Sequence, residues 1–320
     1  MRKALFLLLK LGFTGLLFYF IFRNFGLATI FSTLKQANPV LIFIAAILLL
    51  VSLFTSAIQW RLLLQAQGVL LEVWPAFKLY LIGHFFNNFL PGALGGDVVK
   101  VYRLKREIKR GKEALAATFT DRYAGLFVLA FFALLSSFYI HQFHHIEIET
   151  NLFLYIALLF GLFIVSLFFF FSRRVGGFVY GVLLKKINPF GLRDKVAELH
   201  DFLHTYRESG WLYAKILLIS TVTQLLRISV HILASRAIGF DVPVVYFLIF
   251  VPLIALLSSL PISFGGLGLR EGLGSVLFGT ISPDRALAVA AQLMASLVGI
   301  LVSLLGGVLF VAERKSPRSL

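Results

Sequence analysis

Leu90-Pro91-Gly92-Ala93-Leu94-Gly95-Gly96, followed by Lys100, returns later in the chain as Leu260-Pro261-Ile262-Ser263-Phe264-Gly265-Gly266, followed by Arg270. Both read L-P-x-x-x-G-G-x-x-x-[KR]. Proline removes a backbone donor, and paired glycines allow a reversal that other residues resist. Each motif closes an apolar segment, about 73–90 and about 243–260, and the segments that follow also align loosely, Ala114-Leu115-Ala116 beside Ala286-Leu287-Ala288.

Outward from the motifs, apolar runs near 20 residues recur along the chain, each long enough to cross a bilayer core of about 30 Å. Candidate full spans are about 4–22, 39–59, 114–140, 152–171, 212–236 and 285–311. Of 320 residues, 59% are hydrophobic and 14% charged, with a mean hydropathy of +0.91. A soluble domain carries about 25% charged residues, so a membrane protein is expected, with no stretch left over for a separate soluble domain. The N-terminal Met1-Arg2-Lys3 and the apolar run after it resemble a signal peptide. Lys10 interrupts that run and no A-x-A-like site follows, so a retained first span is expected.

The net charge of +15 does not point to nucleic acid, because the basic residues sit between apolar runs and form no aromatic-basic face. Lys100 to Lys112 holds seven basic residues, 172–210 holds seven more, and Arg314, Lys315 and Arg318 follow the last span. The connections near 24–38, 141–151 and 237–242 hold almost none beyond Lys35. Cytoplasmic termini and cytoplasmic basic loops follow from that asymmetry. Residues 73–99 then start and finish on the cytoplasmic side, and 243–284 start and finish on the outer side. Each segment must enter and return, reversing at Pro91, Gly95 and Gly96 in one case and at Pro261, Gly265 and Gly266 in the other.

The expected fold is therefore an all-α polytopic membrane protein, with about six full transmembrane helices plus two re-entrant broken-helix hairpins. Its halves form an inverted repeat, about 1–140 and about 150–313, within one membrane domain over 1–313, and 314–320 form a cytoplasmic tail. Broken backbone at membrane depth needs protein or a water-filled cavity to satisfy it, and inverted repeats of this kind characterise secondary transporters.

Ionisable groups within such segments cost about 2.5–3.5 kcal/mol each on insertion scales, which marks them as functional candidates. The first hairpin offers His84, Asn87, Asn88, Asp97 and Lys100. Asp97 fits a cap for the returning helix, with Asn87 and Asn88 satisfying backbone; alternatively the helix N-terminus and Lys100 attract an anionic headgroup. In the second hairpin, Arg270 lies near the outer side, where positive-inside logic does not explain it. It can grip a phosphate bidentately, or pair with Glu271 or with a residue of the other half. Thr223, Arg227 and His231, with Gln224 adjacent, place polar groups on one face of the 212–236 span. Arg227 is either a substrate contact or a partner for an acid such as Asp121. Asp121 and Arg122 point about 100° apart, so each is expected to meet another span. Asp97, Asp121 and Glu271 are the candidate proton carriers.

His141, His144, His145 and Glu147 are read as solvated interfacial groups rather than a metal site. Residues 191–209 read as an amphipathic helix on the cytoplasmic surface. The chain has no cysteine, which excludes disulfides and thiolate sites. Neither cofactor nor metal is expected.

Phe86-Asn87-Asn88-Phe89-Leu90-Pro91-Gly92-Ala93-Leu94-Gly95-Gly96-Asp97 and Leu260-Pro261-Ile262-Ser263-Phe264-Gly265-Gly266-Leu267-Gly268-Leu269-Arg270-Glu271-Gly272 resemble the signature stretches of the lysylphosphatidylglycerol synthase transmembrane-region family. Members are often labelled flippase-like. In the bifunctional multiple peptide resistance factors, this region is the lipid-flipping half, joined to a soluble aminoacyltransferase domain. No counterpart of that domain occurs within these 320 residues, so lysyl transfer is not expected. The resemblance implies movement of a lipid across the cell membrane. Candidates are phospholipids, aminoacylated ones included, and polyprenyl-phosphate-linked lipids. The competing readings are an intramembrane lipid-modifying enzyme and a non-transporting subunit of lipid or glycan synthesis. An enzyme would need a nucleophile with a base, paired carboxylates or a metal cluster, and only an Asp97–Glu271 pair across the halves offers itself. The expected partners are membrane lipids, with lipid- or glycan-synthesis enzymes and a second copy of the chain as further candidates.

Overall fold

The computed structural model describes residues 27–89, 95–143, 150–171, 210–259 and 266–315, with Gly15, Tyr19 and Arg23 as helical positions of the N-terminal stretch. Helices, with no strand, make up the described residues: α1 (Leu27–Lys35), α2 (Pro39–Ala66), α3 (Val73–Phe89), α4 (Gly95–Ile108), α5 (Gly111–Phe143), α6 (Thr150–Phe171), α7 (Gly210–Ala237), α8 (Val244–Ser258), α9 (Leu269–Phe278) and α10 (Arg285–Lys315). Most of the expected span 4–22, the motif residues Pro91, Pro261 and Gly265, His144, His145, Glu147 and the 191–209 segment lie outside the described residues.

Four helices, α2, α5, α7 and α10, are long and apolar enough to cross a membrane. At 28 to 33 residues each they run well past a bilayer core of about 30 Å. Local chemistry sets where α2 starts: Pro39 opens it, and the Asn38 side chain accepts from the Val40 N–H at 3.0 Å. Its end is set by Gly68, whose φ of 73° suits glycine. α6, of 22 residues, matches the expected fourth span. α3 and α8 are apolar but only 17 and 15 residues long, which falls short of the core thickness.

The two Leu-Pro motifs sit at the same place in a recurring order. The shift that carries residue 90 onto residue 260 also carries α2 onto α7, α3 onto α8, α4 onto α9 and α5 onto α10, within a few residues at each end. Packing follows that correspondence. α2 and α7 pack most extensively, against each other. α3 packs with α4 and on α10; α8 packs with α9 and on α5. Each short helix thus leans on the last long helix of the other half.

The apolar core divides the same way. Trp60, Leu63, Leu64, Leu79 and Leu104 anchor a buried cluster beneath α3 and α4. Phe240, Phe247, Phe250 and Phe278 anchor another beneath α8 and α9. Backbone meets backbone where glycines allow it: a Cβ on Gly96 would collide with the Gly83 carbonyl, and one on Gly306 with the Leu81 carbonyl.

A polar cavity between the short helices

A cavity of about 350 Å³ lies between the two clusters and is lined from α2, α3, α4, α5, α7, α8, α9 and α10. Arg227, Arg270, Lys100, Asn87, Asn88, Asp97, His231, Gln224 and Asp121 all line it, so residues from both motifs and from the α7 stripe converge on one space.

Its charged groups fall into an engaged set and an open set. Asp97 receives Lys100 at 2.9 Å and also the Arg122 guanidinium. Lys100, with 4% of its side chain exposed, lies 3.8 Å from the Tyr80 ring centroid and 5.3 Å from that of Trp60. Asp121 accepts from the Tyr80 hydroxyl and from Gln59 Nε2 at 2.9 Å, while Ser220 donates to Gln59 Oε1. The open set is the pair of arginines. Arg227 donates to Ser56 Oγ at 3.0 Å. The Arg270 side chain folds back over Gly266, where a Cβ would stand 2.8 Å from Nε. Among the described residues, neither guanidinium meets a carboxylate at ion-pair distance.

Several expected pairings are replaced by others. Asp97 does not cap α4; Asn87 Oδ1 takes the Gly96 N–H at 2.7 Å instead, and Asp97 answers the two cations. Asn88 serves backbone as well, donating to the His84 carbonyl. Arg227 does not pair with Asp121, because Tyr80 and Gln59 hold that carboxylate. Glu271 pairs with neither Arg270 nor Asp97. Fully buried behind the cavity wall, it accepts from the Gly268 N–H at 2.7 Å and from the Ser296 hydroxyl at 2.9 Å, closing the first turn of α9. Asp121 and Arg122 do reach different helices, α3 and α4. Gly95 and Gly96 begin α4, and Gly266, at φ 81°, precedes α9.

Sequence reasoning missed Ser56, Gln59 and Tyr80. The stripe rule that picked out Thr223, Arg227 and His231 would also have found Ser52, Ser56 and Gln59, which share a face of α2. Tyr80 gives no such signal, since a tyrosine among apolar residues is ordinary in a membrane helix. The α2 and α7 stripes face each other across the cavity, joined by Thr55–Thr223 at 2.7 Å and by Ser56–Arg227. Buried Ser258 Oγ, which lines the cavity, has no hydrogen-bond partner among the described residues, which leaves polar capacity there.

Residues 7–307 match the lysylphosphatidylglycerol synthase TM region family. The chain belongs to that family. It is a multi-pass helical membrane protein. A UPF0104 membrane protein of Pyrococcus horikoshii is 24% identical to it, covering 91% of this chain and 92% of its own length. A UPF0104 membrane protein of Methanothermobacter thermautotrophicus is 25% identical, covering 85% of each. No solved structure matches the chain.

Proposed function

We propose that this family member moves an anionic, phosphate-bearing lipid across a cell membrane, with the headgroup held in the cavity. The observation that carries the reading is the pair Arg227 and Arg270, which line an intramembrane cavity with no carboxylate at ion-pair distance among the described residues. Such a pair is costly in an apolar medium, and an anionic headgroup entering the cavity would offset that cost. α3–α4 and α8–α9 act as two re-entrant hairpins of an inverted repeat, with the first limb of each packed on the other half's last span, α3 on α10 and α8 on α5. That exchange is what a transporter needs in order to rock one half against the other about a fixed site. The chain forms a single membrane domain with both termini and the basic 100–112 stretch in the cytoplasm.

The test is reconstitution in vesicles with a fluorescent anionic phospholipid and a membrane-impermeant quencher. Wild-type protein should expose the inner-leaflet probe, and Arg227→Ala/Arg270→Ala should slow that exposure at least about tenfold. Equal rates in protein-free, wild-type and variant vesicles would sink the reading and return weight to an enzyme or a non-transporting subunit.

A further inference from the structure

The charges of the cavity narrow the headgroup it suits. Its lining carries Asp97 and Asp121 against Lys100, Arg122, Arg227 and Arg270, an excess of two positive charges with the histidines counted as neutral. The neighbouring segments 90–94 and 260–265 contain no ionisable side chain. Asp97 already serves Lys100 and Arg122, and Asp121 is held by Tyr80 and Gln59, so no carboxylate of the lining is left for the arginines. Glu271 offsets part of the Arg270 field from behind the wall, but both of its oxygens are engaged there. Arg227 and Arg270 line the same cavity, together with His84.

Two guanidinium forks can each present two N–H donors to an acceptor. A phosphodiester has two non-bridging oxygens and one negative charge, so two forks must share them. A terminal phosphate has three such oxygens and up to two charges, and both forks can be served.

We propose that the cavity is built for a terminal phosphate, a phosphomonoester or diphosphate group, rather than for a phosphodiester or a cationic aminoacylated headgroup. This rests on the cavity being the headgroup site of the transport reading. The lipid's remaining chemistry is left open: the shared feature is a phosphate group at the end of the molecule rather than between two substituents.

The experiment is a binding titration of the purified full chain with soluble short-chain phosphatidic acid, phosphatidylglycerol and phosphatidylcholine, plus inorganic phosphate and pyrophosphate. It is run at about pH 8, where a phosphomonoester with a second pKa of about 6 is dianionic. Phosphatidic acid should bind about tenfold or more tightly than phosphatidylglycerol, the margin of one added charge-assisted hydrogen bond. In Arg227→Lys and Arg270→Lys, which keep the charge and lose the fork, that margin should shrink toward one. Equal binding of phosphatidic acid and phosphatidylglycerol by wild-type protein overturns the proposal, with no variant needed. Inorganic phosphate or pyrophosphate binding as tightly as phosphatidic acid supports the terminal-phosphate chemistry and assigns its source to a soluble anion. The vesicle assay separates the two readings. Selective binding without lipid movement leaves the site standing and removes the transporter; lipid movement indifferent to the terminal phosphate does the reverse.

Discussion

Asp97 answers two cations at once, Lys100 on its own helix and Arg122 on α5, and Lys100 is further pinned between the Tyr80 and Trp60 rings. Removing its charge strands both cations in a largely buried place, a change that typically costs about 3–5 kcal/mol. Asp97→Asn should therefore lower the unfolding temperature of the detergent-purified protein clearly; an unchanged melting curve would show that the cluster contributes no net stability. Glycines give a sharper contrast. Gly306→Ala drives a methyl into the Leu81 carbonyl, where only backbone can yield, whereas Gly161 has nothing within 4 Å of an added Cβ. We expect Gly306→Ala to cost at least about 1–3 kcal/mol and Gly161→Ala to be neutral or slightly stabilising, read from the same melting curves. At this scale the sequence reveals which residues share a face better than what they touch. Thr223, Arg227 and His231 are legible because helical spacing alone puts them on one face. The partners of Asp121 and the Arg122 partner of Asp97 are not, because they are supplied by different helices, and Glu271 is met by the Ser296 hydroxyl and by a backbone N–H that only the folded chain brings near.

Helix ends follow backbone hydrogen bonding rather than the edge of the apolar run. The expected span 39–59 continues to Ala66, and 285–311 continues to Lys315, because nothing in Trp60-Arg61 or Glu313-Arg314 breaks a helix once it has begun. The extension of α10 has a use. Glu313 takes Arg103 of α4 and lies 3.7 Å from Lys78 of α3, while Phe310 packs edge-on to Phe86 with centroids 5.0 Å apart and lies under Arg103. The end of α10 thus clasps both limbs of the first helical pair. The chain has no cysteine, so a pair of introduced thiols would be the sole site for a cross-linker. If the α3–α4 pair shifts on α10 during transport, joining Phe86→Cys and Phe310→Cys with a short bifunctional maleimide should stop lipid movement, and the unjoined variant should retain it. Transport at the same rate in the joined protein would show that this contact stays fixed throughout the cycle.

For the molecule as a whole, the distribution of Lys and Arg carries an expectation of orientation, while nothing in it carries the packing. α8 is apolar on nearly every face, so no stripe announces which side turns inward, and helices in lipid associate through shape and polar groups rather than through hydrophobicity. The backbone contacts at Gly83–Gly96 and Leu81–Gly306 were accordingly invisible before folding. Orientation itself can be tested residue by residue. Lys109→Cys should react with an impermeant maleimide only from the cytoplasmic face, and His141→Cys and Asp241→Cys only from the outer face. Labelling of all three from one side would overturn the proposed inverted arrangement of the halves.

The exchange of partners between halves also sets an order of events at the ribosome. α3 is made well before the surface it rests on around Gly306 and Phe310. Until α10 is made, the Leu81 and Phe86 face of α3 lacks the partner that Gly306 and Phe310 supply. Docking of α3 on its final partner therefore waits for α10, and a nascent chain stalled before residue 285 lacks that partner.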